Sequence, residues 1–149
     1  MNIENQISLD IKLAMKEKEI NKLAALRSLK SAIILEKTKD GSKNISNDIV
    51  LKIITKMVKQ RKDSIQLYLR KSRNDLADEE LSQLKHLEPY LPKQLSEAEI
   101  RDVVKDVINS NNSSSLSDLG KCMPILISMI GNKADGSLIS KILRQELSN

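Results

Sequence analysis

Apolar residues recur along this chain at steps of three and four, and no window alternates apolar with polar as a half-buried strand requires. Helices are therefore what the pattern predicts. Ile3, Ile7, Ile11 and Ala14 make the stripe of a first helix over residues 3–18, and Asn21 and Lys22 mark a brief break. Leu23, Leu26, Leu29, Ala32 and Ile33 give a second helix, with Arg27 and Lys30 along its other side. From Lys37 to Asn47 the periodicity lapses around Gly41, which predicts an exposed loop. A long third helix follows from Asp48 to Ser72, with Ser46 or Asn47 available as its cap. Val50, Ile53, Ile54, Met57, Val58, Ile65 and Tyr68 fall on one broad face of it. Lys52, Lys56, Lys59 and Arg70 gather opposite, a solvated face in the plainer reading and a phosphate track in the other. Ser72 or Asn74 opens a fourth helix, whose stripe is Leu76, Leu81, Leu84 and Leu87.

Pro89-Tyr90-Leu91-Pro92 cannot continue a helix, because proline lacks the N–H and restricts the residue before it. We place a domain boundary there, giving domains of residues 1–92 and 93–149, with Tyr90 and Leu91 expected to plug their junction. Ser96 and Glu99 form a capping box for a fifth helix through Ile100, Val103, Val104, Val107 and Ile108. The polar run Asn109 to Ser115 ends it, and Ser115 or Ser117 caps a sixth. Pro124 predicts either a kink in that helix or a helix that begins near it.

The stretch from Leu119 to Leu147 reads as two short helices folded across a tight turn. Leu119, Met123, Leu126, Ile127 and Ile130 share a face on the first; Ile139, Ile142, Leu143 and Leu147 share one on the second. Gly131 stands where the first should stop. Asp135 is placed to cap the second, its carboxylate accepting from N–H groups near Leu138, and Gly136 keeps bulk away from that helix start.

Gly120-Lys121, Met123, Met129, Gly131, Lys133-Ala134-Asp135-Gly136, Leu138, Ser140 and Arg144 to Leu147 closely resemble the end of the GatB/YqeY family. This family comprises the C-terminal tail of the B subunit of tRNA-dependent amidotransferases and small stand-alone proteins built on the same helices. Lys59-Gln60-Arg61 with Asp63-Ser64, Asp75-Leu76 and Tyr90 to Ser96 extend the resemblance to roughly residues 20–147, as in a stand-alone YqeY-like protein. Pro124 stands where the family shows glycine, and Pro89 where it shows an acidic residue. The resemblance implies contact with tRNA, or with a tRNA-bound amidotransferase or synthetase. It also links the chain to glutamine-dependent carbon–nitrogen ligase chemistry, whose glutaminase and phosphorylation sites lie in other domains and subunits.

The residues supply no catalyst of their own. The chain has no Gly-x-Ser-x-Gly elbow, P-loop, Gly-x-Gly-x-x-Gly or zinc-spaced His/Cys cluster, so no catalytic residue, metal or cofactor is expected. The lone His86, near a helix end beside Lys85, reads as a half-exposed surface residue, and the lone Cys122 as a small buried hydrophobe. Arg61 falls in the middle of the third helix's apolar face, where it needs a carboxylate or several carbonyl partners; a structural ion pair with Glu88 or Glu80 is expected, a ligand site being the alternative. At the C-terminal turn, Lys133 and the backbone from Ala134 through Gly136 to Ser137 could hold a phosphate at a helix N-terminus. Lys121, Lys141 and Arg144 complete this candidate nucleic-acid site, while Asp135 opposes it.

The formal charge of +5 divides unevenly: residues 1–93 hold 19 Lys and Arg against 13 Asp and Glu, and residues 94–149 hold 6 against 7. The excess permits an anionic partner without demanding one. Tyr68 and Tyr90 are the only aromatic residues, which disfavours single-stranded RNA and leaves folded or duplex RNA, read by shape and phosphates. With no charged-then-apolar leader and no apolar run near the ~20 residues of a membrane span, a cytoplasmic monomer without membrane attachment is expected. The fold expected is all-α, a multihelical N-terminal domain plus a small C-terminal three-helix domain. The function expected is that of a non-catalytic tRNA-handling accessory. The alternative is a protein–protein adaptor that docks a partner helix, with no role for nucleic acid.

Overall fold

The computed structural model describes residues 2–41 and 43–148, and among them every regular element is helical. Seven α-helices follow in chain order: α1 Ile3–Lys16, α2 Ile20–Asp40, α3 Asn47–Arg70, α4 Asn74–Leu87, α5 Glu97–Ser110, α6 Leu119–Ile130 and α7 Gly136–Ser148. Single 3₁₀ turns occupy Glu88–Tyr90, Leu116–Asp118 and Gly131–Lys133. The chain divides into two compact units, Met1–Leu91 and Pro92–Asn149.

The first unit buries the stripes of α1 to α4 against one another: Ile7, Ala25, Leu29, Ile33, Val50, Ile54, Val58, Leu84 and Leu87 form one core. Ser46 caps α3, its side chain accepting from the Ile49 N–H. The helix ends depart from the sequence reading. The break between α1 and α2 falls at residues 17–19 and not at Asn21 and Lys22, because Lys18 takes a left-handed conformation (φ 57°). The expected loop from Lys37 begins later, since α2 runs on to Asp40 and stops at Gly41, left-handed at φ 64°. On α4, Leu81 is 52% exposed, and Ala77 takes the buried place. Of the two starts considered for α4, the helix takes Asn74; its N-cap is Arg73, without a side-chain cap, and Arg73 reaches forward to both carboxylate oxygens of Asp75. Tyr90 and Leu91, expected at a junction between the halves, pack against the core of the first unit.

The second unit surrounds its own core, with Ile100, Val104, Val107, Cys122, Leu126, Ile130, Ile139, Ile142, Leu143 and Leu147 all buried. The capping box opening α5 is complete: the Glu99 N–H donates to Ser96 Oγ (3.2 Å) and the Ser96 N–H to Glu99 Oε1 (3.1 Å). The carboxylate of Asp118 accepts from the N–H groups of Ser114 and Ser115, securing the turn before α6. That helix runs through Pro124 from Leu119, so it does not begin at the proline. Its buried line passes through Cys122, Leu126 and Ile130, while Ile127 is 51% exposed. Cys122 is fully buried, its Sγ 3.3 Å from Ser113 Oγ.

Candidate functional site

The α6–α7 hairpin holds the residues singled out from the sequence. Gly131 ends α6 at φ 59°, ψ −131°, a backbone conformation open to glycine and strained for other residues. The segment before α5 then grips the turn. The Leu95 N–H donates to the Lys133 carbonyl (2.8 Å), and Gln94 Nε2 donates to the carbonyls of Asn132 (2.9 Å) and Pro92 (2.8 Å). Ala134 is buried against the core. The backbone of Lys133 is therefore fixed while its side chain stays exposed. The Asp135 carbonyl accepts from the N–H groups of both Leu138 and Ile139 at 3.1 Å, so Asp135 stands at the entrance of α7.

A Cβ at Gly136 would meet nothing within 4 Å, so the fold does not require glycine there to avoid a clash. Along α7, Ser137, Lys141, Arg144 and Ser148 are all exposed. At about 100° per residue they fall within an arc of roughly 60°, opposite the buried Ile139, Ile142, Leu143 and Leu147. Neither Lys133, Lys141 nor Arg144 has an ion-pair partner among the described residues. Glu146 is turned away into a bond with Arg101 (2.6 Å). Lys121 does not join this group freely, because its Nζ donates to the Asn111 carbonyl at the end of α5 (2.7 Å). The hairpin thus brings Ser137, Lys141 and Arg144 onto one acid-free face, with Gly136 and Lys133 leading into it.

Two polar clefts in the first unit were not legible as sites. One, of about 370 Å³, is lined by Gln6, Asp10, Lys22, His86 and Tyr90. The Tyr90 hydroxyl and Gln6 Nε2 both donate to the Asp10 carboxylate. Burial, together with the bond to Asp10, pushes the Tyr90 phenol well above its usual range. Desolvation first, then the charges of Lys85 and Lys22, holds the His86 imidazole below its usual value. Asp10 is occupied by two donors and Tyr90 stays neutral, so the cluster is a clasp between α1 and the end of the unit. The only advance signal was Tyr90 within its Tyr-Leu-Pro run. The second cleft, about 230 Å³, contains Arg61, Gln60, Ser28, Ser64 and Glu80. Arg61 pairs with Glu80 (3.1 Å), while Glu88, the other acid considered, lies 3.8 Å from Lys62. No group of His, Cys, Asp or Glu among the described residues could hold a metal ion, and no helix of them is long and apolar enough to cross a membrane.

A family model described as Yqey-like protein matches residues 4–147. The chain belongs to the YqeY family. Among YqeY-like relatives, the protein named altered inheritance of mitochondria protein 41, mitochondrial, from Lachancea thermotolerans is 30% identical over 143 residues, covering 91% of this chain and 76% of that protein. Its namesake from Kluyveromyces lactis is 27% identical over 113 residues, 72% of this chain and 61% of that one. An uncharacterized protein of Schizosaccharomyces pombe is 30% identical over 96 residues, 64% of this chain and 76% of its own length.

Proposed function

We propose that this YqeY-family chain is a non-catalytic accessory that binds tRNA, or a tRNA-bound amidotransferase or synthetase, through the α6–α7 hairpin. One observation carries the reading: the solvent face of α7 presents Lys141 and Arg144 without an acid, although residues 94–149 hold more acids than bases. Cations gathered on one face of a near-neutral unit favour a polyanion far more specifically than a general excess does. Lys133 extends that face toward the N-terminus of α7, where the helix dipole favours phosphate and Asp135 opposes it. The resemblance to the amidotransferase tail supplies the kind of RNA. In this reading residues 1–92 and 93–149 are separate domains of a monomer, and the second makes the contact. The compartment proposed is an aqueous one that contains tRNA, the cytoplasm or, by analogy with the names of the fungal relatives, the mitochondrion.

The test is anisotropy of labelled tRNA titrated with the protein at two salt concentrations, beside an unstructured RNA of equal length. Tighter binding to tRNA, weakened by salt and by Lys141→Glu with Arg144→Glu, is the expected result. Equal and weak binding to both RNAs would leave net charge as the whole explanation.

A second reading has its own observation. Leu9 and Leu13 lie one turn apart on α1 and are 58% and 46% exposed. An apolar pair of that spacing suits a helix-docking adaptor. A partner recovered from lysate that survives nuclease, and is lost in Leu9→Glu, would favour it over RNA binding.

A further inference from the structure

A cleft of about 450 Å³ between α1 and α2 is lined by Ser8, Ile11, Lys12, Arg27, Lys30 and Ser31. Each helix contributes a hydroxyl and a cation one turn apart, Ser8 with Lys12 and Arg27 with Ser31, so both pairs project from single helix faces. Lys30 is set in place between them, its Nζ 2.9 Å from Ser8 Oγ and 3.7 Å from Glu4. Glu4 also holds Lys37, and no carboxylate lines the cleft itself. Lys12 and Arg27 are exposed and have no ion-pair partner among the described residues.

Lys12 and Arg27 line one concavity without an acid of their own, Lys30 being paired with Glu4, and an anion seated there would relieve their repulsion. Their donors, with two hydroxyls, are of the kind and number that satisfy phosphate oxygens, and a guanidinium can grip two of them at once. Below the charges the floor is apolar, made by Ile11 and the aliphatic stems of the basic side chains. The volume lies within the roughly 300–1,000 Å³ of small-molecule sites, and is larger than a bare phosphate needs. We propose that this cleft binds a small phosphorylated organic molecule, its phosphate held by Lys12, Arg27 and Lys30 and its carbon skeleton resting on Ile11. This site is independent of the α7 face.

The experiment is a titration of the full isotope-labelled chain with adenosine monophosphate and, separately, inorganic phosphate, followed by backbone amide resonances. Saturable shifts centred on residues 8–12 and 27–31 are expected, with the nucleotide binding more tightly than phosphate. Lys12→Glu combined with Arg27→Glu alters two exposed side chains, and its fold is checked by the melting curve. It should weaken nucleotide binding at least about tenfold, the weight of one or two charge-assisted hydrogen bonds, while Lys141→Glu with Arg144→Glu leaves it unchanged. The proposal is overturned by shifts spread over every basic surface, by equal affinity in the cleft variant, or by equal affinity for phosphate and nucleotide. Shifts produced by RNA alone would overturn it too.

Discussion

Arg61 shows how far one residue can be read and where the reading stops. Its angle on α3 placed a guanidinium in an apolar face, and the expectation of an ion pair followed; the choice between Glu80 and Glu88 did not, because both come from α4 or the turn directly after it. The structure selects Glu80, and it makes the pair asymmetric. Arg61 has 15% of its side chain exposed and Glu80 27%, and Arg61 Nε, fully enclosed, has no hydrogen-bond partner. Removing the acid strands the more deeply buried charge. Glu80→Leu should therefore destabilise by on the order of 3 kcal/mol, and Arg61→Leu by clearly less, as Glu80 can rehydrate. Chemical denaturation of the two variants and the double variant checks the order, and equal losses would refute the asymmetry. His86 gives a second prediction. Its folded-state pKa is held below the usual 6.5, so the unfolded chain binds the proton more readily. The stability this contributes is complete above that value and is lost as pH falls through the folded pKa. The melting temperature should fall between pH 7.5 and 5.5, and His86→Gln should flatten that slope.

Among the elements, the apolar stripes were legible because burial follows the helical period, and every stripe named for α1 and α3 lies at least partly buried. What the period does not carry is where a helix stops without glycine or proline. Lys18, Ser72 and Asn112 are all left-handed, at φ 57°, 57° and 52°. After each, the next residue's N–H reaches back five positions: Glu19 to Ala14, Arg73 to Tyr68 and Ser113 to Ile108. These are Schellman ends, two of them built on residues, Lys18 and Ser72, that ordinarily avoid that conformation, and the third on an asparagine, which tolerates it. The sequence reading ends the first helix at residue 18, the third at Ser72 and the fifth at its polar run, without showing that a left-handed residue stops each one. Small residues were the other blind spot, since Ala25 and Ala77 are buried but weigh little in a stripe of large side chains. Relieving the left-handed strain should stabilise: Ser72→Gly and Lys18→Gly should each add roughly 0.5–1 kcal/mol, measured by denaturant midpoint at constant slope. The capping acids, like His86, lose their contribution in acid. Hydrogen bonds from Ser96 to Glu99, and from Ser114 and Ser115 to Asp118, hold both carboxyls below their usual values. Their contribution is present above those values and disappears as pH falls through the folded ones. Glu99→Gln with Asp118→Asn should blunt the acid limb of unfolding.

At the scale of the molecule, a net charge of +5 and a cationic face predict different things, and salt separates them. The candidate site was legible in part: Lys141 and Arg144 share a face because their spacing on a helix demands it, and Ser137 follows from the same spacing. That Lys121 is committed to the Asn111 carbonyl could not be read, since the contact depends on how the end of α5 meets α6. The cations of the proposed site are then Lys133, Lys141 and Arg144, with Lys121 as a tie. Each phosphate neutralised contributes about 0.9 to the slope of log K against log salt on a duplex. Replacing all three of these cations by alanine should therefore lower the magnitude of that slope for tRNA by roughly two to three. Lys52→Ala with Lys56→Ala, on the solvated face of α3, alters net charge without touching the proposed contacts and should leave the slope nearly unchanged. Lys121→Ala should also leave the slope nearly unchanged while lowering the melting temperature. If the α3 pair moves the slope as much per charge as the hairpin triple, the attraction is diffuse, and the acid-free face of α7 is only a solvated helix.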